Sequence, residues 1–306
     1  MALAISNSER IGYSAETVWG TTVALNPIKL VRYVSGSFKN DTQSTKSSEI
    51  QNSREIADII RTGIRGGGSF NFELSYGMLD DLLEGLLGGT WTANVLKVGT
   101  TRRSFTFERQ YTDIGRFHAY KGALLTALSL NVGNGKVIDG SLAFASKAGA
   151  DAGATAGTGV TAAPTNGVMN PIDSVQLVSV NGVTQTGVTD VQVALAQTNV
   201  DYAQLGSIDP ADIKPGSFEV TGSYSQYYDD TLSAAQLAAA NGWTTVPIAV
   251  TLGGAASLKY AILLSKCKLT MAEVSNGGMN QPMMAKYSFS AFVDATTSTM
   301  QVTRTP

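Results

Sequence analysis

The sequence predicts a mainly β fold: a β-rich α+β chain of two repeated units, each carrying one short helix. Three observations predict it. A strand-then-helix stretch at 68–91, GSFNFELSYGMLDDLLEGLLGGTW, returns at 216–243 as GSFEVTGSYSQYYDDTLSAAQLAAANGW. Hydrophobic content is 43% against 15% charged, with 32 glycines, which suits many turns and a surface that meets other protein. Several further segments alternate apolar and polar residues with the period of a half-buried strand.

The repeat comes first. Gly68, Ser69, Phe70, Ser75 and Tyr76 recur in order as Gly216, Ser217, Phe218, Ser223 and Tyr224, and one inserted residue later Asp80-Asp81 lines up with Asp229-Asp230. In the first copy Phe70, Phe72, Leu74 and Tyr76 alternate with Ser69, Asn71, Glu73 and Ser75. The period then changes: Leu79, Leu82, Leu83, Leu86 and Leu87 share one helical face, which Gly88-Gly89 ends. In the second copy Phe218, Val220 and Tyr224 oppose Glu219, Thr221 and Ser223. Asp229-Asp230 then serves as an N-cap region for 232–240, which Asn241-Gly242 closes. Both acidic pairs, at helix starts, are assigned to capping and dipole stabilisation rather than to paired-carboxylate chemistry.

Taken in order, residues 1–28 form an N-terminal arm without sustained period, packed on something else or frayed. The first unit is placed at 29–147. Within it 29–40 carries strand formers, and 41–67 is a long connection in which Arg54, Glu55, Asp58, Arg61 and Arg65 mix with Ile56, Ile59, Ile60 and Ile64. Such mixing suggests contact with a partner, the alternative being a hairpin or short helix folded back on its own unit. A strand follows at 103–111, then 128–132 with a turn at Gly133-Asn134-Gly135 and a returning strand at 137–144. Residues 148–168, rich in Gly, Ala and Thr, read as a linker or long surface loop. The second unit is placed at 169–306, with a hairpin signal at Asn181-Gly182 and a connection at 198–215 in the position of 41–67. Its closing strands echo the first: Leu125-Thr126 matches Leu269-Thr270, and Ala143-Phe144 matches Ala291-Phe292.

The formal net charge of −2 argues against tight nucleic-acid binding, which needs a basic stripe. Cys267 is the sole cysteine and His118 the sole histidine, so neither an intrachain disulfide nor a Cys/His zinc site is supported. No serine sits in a nucleophile elbow, and the 66–68 glycine triplet leads into a strand rather than a phosphate-binding helix. The expectation is a non-enzymatic protein with no catalytic residue, cofactor or metal. The start has no signal-peptide pattern, and no run of 18 apolar residues suggests a membrane span.

Residues 48–54, the GSFNFELSYG strand, the MLDDLLEGLLGG helix, ERQYTDIGRFHAYKG at 108–122, SKCKLT at 265–270 and AFVDATTSTMQVTR at 291–304 together resemble tail tube proteins of long, non-contractile tailed phages. The resemblance implies a β-sandwich or barrel-like unit with one flanking helix, assembled into stacked rings. These form the hollow tail tube that conducts phage DNA into the host without binding it specifically. Two units in one chain imply a homotrimer with pseudo-sixfold symmetry, with a homohexamer as the alternative. The resemblance also implies a tape measure protein and tail-terminator or tail-tip proteins as partners, and a virion location after assembly in the host bacterial cytoplasm. Contacts between subunits and rings would fall to Glu49, Ile50, Arg54, Glu55, Ile56, Asp58, Ile60, Arg61 and Arg65, and in the second unit to Tyr202 and Asp209. A tail-tip or adhesin-like module that binds a host surface molecule is the competing reading.

Overall fold

The computed structural model describes residues 3–21 and 26–306; the parts of the 1–28 arm at 1–2 and 22–25 lie outside the described residues. The first half runs β1 (Glu9–Ala15), β2 (Ile28–Leu30), β3 (Ser35–Lys46), β4 (Ile59–Glu73), α1 (Asp80–Leu87), β5 (Val95–Lys97), β6 (Phe105–Tyr111), β7 (Arg116–Gly133) and β8 (Asp139–Ser146). Short strands β9 (Ala150–Ala152) and β10 (Val160–Thr161) follow. The second half runs β11 (Val175–Val180), β12 (Val183–Thr184), β13 (Val188–Tyr202), β14 (Asp212–Tyr227), α2 (Leu232–Asn241), β15 (Thr245–Gly253), β16 (Lys259–Asn276), β17 (Met283–Ala291) and β18 (Gln301–Thr305). The mainly β class holds, with one short helix in each half.

Strand β7 serves two sheets. Its first part pairs with β6, from Tyr111↔Arg116 to Phe105↔Ala123, and from Leu124 onward it pairs with β8. A bulge between Leu125 and Ala127 marks the change, re-aiming the strand as an extra residue does. Strand β16 does the same, moving from β15 to β17 with a bulge between Leu269 and Met271. Around these strands the halves share one pairing scheme: β3–β4–β8–β7 in the first and β13–β14–β17–β16 in the second. All of these pairings are antiparallel. The halves join because β7 also pairs with β13, from Gly133↔Asp190 to Ala127↔Ala196, giving one continuous eight-stranded sheet. A second joint links β18 to β5.

The pairings correct the register of the repeat. Phe70 lies between Gly36 of β3 and Leu142 of β8; its counterpart between Val191 of β13 and Tyr287 of β17 is Tyr224. Gly68-Ser69-Phe70 therefore corresponds to Gly222-Ser223-Tyr224, not to Gly216-Ser217-Phe218. The sequence carries Gly-Ser-aromatic twice within β14, and similarity alone favours the first. Likewise Phe144, opposite Leu125, corresponds to Phe289, opposite Leu269, rather than to Phe292. The two glycines share a physical role. A Cβ at Gly68 would stand 2.4 Å from the Phe38 ring and 2.8 Å from the Ser37 carbonyl oxygen; at Gly222 it would stand 2.3 Å from both the Phe289 ring and the Gln192 carbonyl oxygen.

The stretches 41–67 and 198–215, placed as long connections, are hairpins, the alternative left open for the first of them. The β3–β4 ladder continues to Lys46↔Ile59, leaving only 47–58 as its tip, and β13–β14 continues to Tyr202↔Asp212. The outer parts of β3 and β13 are exposed on both faces, so no apolar alternation marks them. The segment at 148–168 is held at several points: β9 pairs with β7, β10 runs parallel to β2, and Thr155 and the Ala156 N–H donate to the buried carboxylate of Glu108. The described part of the arm contributes β1, paired along its whole length with β6.

The core packs under the eight-stranded sheet. Helix α1 buries Leu82, Leu83, Leu86 and Leu87 against it and ends at Gly88, as its periodicity predicts. Helix α2 differs. It buries Ser233 and Gln236, bonded to Gln226 Nε2 at 2.9 Å and to the Tyr224 hydroxyl at 2.6 Å, and the Tyr287 hydroxyl donates to the Ser233 carbonyl oxygen at 2.8 Å. Left-handed geometry after α2 falls on Trp243 (φ 52°) rather than on Gly242 (φ −80°). The expected Asn181-Gly182 turn is present, with φ of 54° and 76°, the two positive values of a tight hairpin turn.

Gly68→Ala and Gly222→Ala should each destabilise the protein by about 1–3 kcal/mol through overpacking, read as a lower midpoint in chemical denaturation. Burial pushes the Cys267 thiol up to about 12. Iodoacetamide should therefore leave the native protein unlabelled at pH 8 and label it stoichiometrically in denaturant.

Candidate functional site

The projecting β3–β4 hairpin gathers most of the residues that the sequence singles out. Glu49, Ile50, Arg54, Glu55, Ile56 and Asp58 lie in the 47–58 tip, while Ile60, Arg61 and Arg65 lie on β4. Short-range bonds shape the tip: the Ser47 N–H donates to the Asp58 carbonyl oxygen, the Glu55 N–H to Ser53 Oγ and the Ile59 N–H to Asp58 Oδ1. Ile50 is 98% exposed, and Ile56, Ile59 and Ile60 are each more than half exposed. Among the described residues, none of Glu49, Arg54, Glu55, Asp58 and Arg61 forms an ion pair. A contiguous set of exposed isoleucines and unpaired charges is unusual on a surface that meets only water.

The two hairpins lie side by side. Arg65 Nε donates to Asp201 Oδ2 at 2.7 Å, and the Ile64 N–H donates to the Ile208 carbonyl oxygen at 3.0 Å. Asp209 accepts from the Ala148 N–H at 3.2 Å, and Tyr202 carries the Lys214 ammonium over its ring at 5.0 Å. Arg65 and Asp209 are thus tied within the chain, whereas the tip residues point away from it.

The acidic pair of α1 departs from expectation. The N-cap of α1, Leu79, makes no side-chain cap bond, and Asp80 and Asp81 occupy the first turn. Asp80 accepts from Arg304 Nη1 and from the Tyr260 hydroxyl, each at 2.6 Å, and the Arg304 guanidinium stacks over Trp91 at 4.5 Å. Asp81 pairs with Lys29. Both carboxylates favour the positive helix end; Asp80 also binds the first half to the second, while Asp81 ties the helix to β2 within the first half, links that single-helix reasoning missed. Asp229 does act in capping, accepting from the Thr231 and Ser233 N–H groups at 3.0 and 2.9 Å.

A second overlooked anchor is Glu16. Its carboxylate accepts from the Gly20 and Gly122 N–H groups and from Ser104 and Thr106. Trp19, between the Arg102 and Lys147 cations, donates from Nε1 to the Gly122 carbonyl oxygen. His118 faces Asp151 at 3.2 Å, and burial together with the charges of Arg109 and Arg116 lowers its proton affinity. Among the described residues no cluster of His, Cys, Asp or Glu has the makings of a metal site, and no helix is long and apolar enough to cross a membrane.

The surface of the chain is thus marked by two projecting hairpins on an extended sheet, with no metal-site cluster among the described residues. A family model described as phage tail tube protein matches residues 6–291, and the chain belongs to that family. Membership makes it a structural component of the phage tail that associates with itself into a tube. No curated protein matches the chain.

Asp80→Ala should cost about 2 kcal/mol, the scale for losing hydrogen bonds to a charged group, and Tyr260→Phe less. Equilibrium denaturation of the two variants checks that order.

Proposed function

We propose that the chain is the major tail tube subunit, which closes into rings that stack into the hollow conduit for phage DNA. Its units, 29–147 and 169–306, are two copies of one tail-tube-like module connected by 148–168. Three chains complete a ring with pseudo-sixfold symmetry. The observation that carries this reading is the eight-stranded sheet. The two modules already lie next to each other in it with like strands in like places, as successive positions around a ring require, and among the described residues β3 and the C-terminal part of β16 have no pairing on their outer sides.

One face of this sheet packs on the core; the other turns the lumen side toward DNA. Its central positions, among them Ser69, Ser129, Asn131, Ala194, Ser223 and Ser288, are small or uncharged. The charges on this face, Lys39 and Lys286 beside Glu219 and Glu273, are of both signs and form no basic stripe, so the polymer passes without specific binding. The projecting end of the β3–β4 hairpin, with Ile50 and Ile56 in its tip and Ile60 on β4, reaches a neighbouring subunit or ring, and the β13–β14 hairpin with Tyr202 and Asp209 supports it. A tape measure protein fills the lumen during assembly, and terminator and tip proteins cap the ends. Assembly takes place in the host cytoplasm, and the product is part of the virion.

Electron microscopy of purified protein tests the reading. Rings or tubes with three copies per turn are expected, and a strictly monomeric species at high concentration would refute it. Replacing Ile50, Ile56 and Ile60 together by Ser should shift monomer stability by no more than about 1.5 kcal/mol, since all three are exposed. Tube yield in sedimentation should nonetheless fall sharply.

A further inference from the structure

Five asparagines of the chain are followed directly by glycine: Asn134, Asn166, Asn181, Asn241 and Asn276. Such a pair is open to spontaneous loss of the side-chain amide, because glycine has no Cβ to shield the backbone nitrogen that attacks it. We propose that Asn276–Gly277, where β16 enters the loop to β17, is a self-modifying site that converts to isoaspartate and aspartate in the native protein, ahead of the other four.

The reaction needs water and no other co-reactant. The Gly277 nitrogen attacks Cγ of Asn276, a C–N bond closes a succinimide ring, and the side-chain amide leaves as ammonia, taking up the proton that the nitrogen loses. Water then opens the ring. Opening at the former backbone carbonyl leaves the chain running through the side chain, as isoaspartate; opening at the other carbonyl gives aspartate. The reaction therefore requires a free side-chain amide, an unengaged glycine N–H and a backbone able to bring them together.

The fold withholds these conditions from four of the five pairs. The Asn166 amide donates to the Tyr76 carbonyl oxygen at 2.9 Å, and its own backbone oxygen accepts from Arg32 Nη1 at 2.5 Å. Asn241 ends α2, and the attacking group there, the Gly242 N–H, is bonded to the Ala238 carbonyl oxygen at 2.9 Å. Asn181, with φ of 54°, sits in the tight β11–β12 turn and its N–H donates to the Pro247 carbonyl oxygen at 2.8 Å. Asn134 is pinned to β13 through its N–H and the Thr189 carbonyl oxygen at 3.0 Å, in a turn closed by the Lys136 N–H on Gly133.

Asn276 has no such restraint. It is exposed, and Asn276↔Met283 is the last pair of its ladder. Among the described residues neither its side chain nor the Gly277 N–H makes a hydrogen bond. The Met283 carbonyl oxygen is taken by the Tyr228 N–H at 3.0 Å. Gly278 follows at once, so two successive residues lack a Cβ and the backbone turns freely. Conversion adds a negative charge to a chain of formal net charge −2, and isoaspartate lengthens the backbone by one atom at the terminal pair, which loosens that end of the hairpin.

Peptide mass mapping of the full native chain, held at mildly alkaline pH and sampled over days, tests the site. The amide-to-acid mass gain should appear at Asn276 about threefold faster than at Asn134 and about tenfold faster than at Asn166, Asn181 and Asn241. In denaturant the five rates should converge to within about threefold, since only the fold separates them. Chromatography should resolve two products, with isoaspartate in excess. Gly277→Ala should slow conversion at Asn276 about tenfold by shielding the nitrogen. Equal or faster conversion at another of the five in the native chain would overturn the proposal. So would an Asn276 amide that survives where the denatured chain loses it, aspartate without isoaspartate, or an unchanged rate in the Gly277→Ala variant.

Discussion

The backbone ladder between β7 and β13 is the constraint on which the rest depends. Without it, two four-stranded sheets would each expose two hydrogen-bonding edges; with it, one sheet carries both halves and, among the described residues, two such edges remain. The ladder also fixes where the cores meet. Leu128 and Leu130 of β7 stand beside Leu195 and Val193 of β13 on the buried face, so apolar packing and backbone pairing specify the same register. The Asp80–Arg304–Trp91 group and the β5–β18 pairing brace the joint from the other side of the core.

The bulges in β7 and β16 solve a related problem. A single long strand reaches two sheets only by changing direction, and one extra residue supplies the bend while leaving the flanking pairs intact. The chain thus encloses a core between the sheets with few connections. Its two covering helices do so by different chemistry. Helix α1 is sealed by leucines, whereas α2 depends on buried bonds from Ser233 and Gln236 to Tyr224, Gln226 and Tyr287.

Much of this was legible in the residues. The alternation of Phe70 and Phe72 with Ser69 and Asn71, the leucine stripe of α1 and the Asn181-Gly182 turn each carry a period or turn chemistry that one segment can reveal. The hairpin ends were not legible, because a strand exposed on both faces has no apolar period, and polar runs such as 41–46 resemble loops. Register was misread because β14 holds Gly-Ser-Phe and Gly-Ser-Tyr close together, and only hydrogen-bond partners distinguish them. The roles of Asp80 and Glu16 were hidden for a different reason: their partners, Arg304 and Gly122, lie far away along the chain. Of the residues expected at contacts, the tip group stands exposed together, whereas Arg65 and Asp209 are engaged within their own chain.

The internal joint has a consequence for how copies find one another. Joining two free bodies costs translational and rotational freedom each time, but the β7–β13 joint forms while a single polypeptide folds, where its halves stay at high effective concentration whatever the dilution. A larger structure grown from such chains needs fewer bimolecular encounters than one grown from separate halves. Its onset therefore falls at a lower protein concentration, and growth is less readily stalled by half-built pieces.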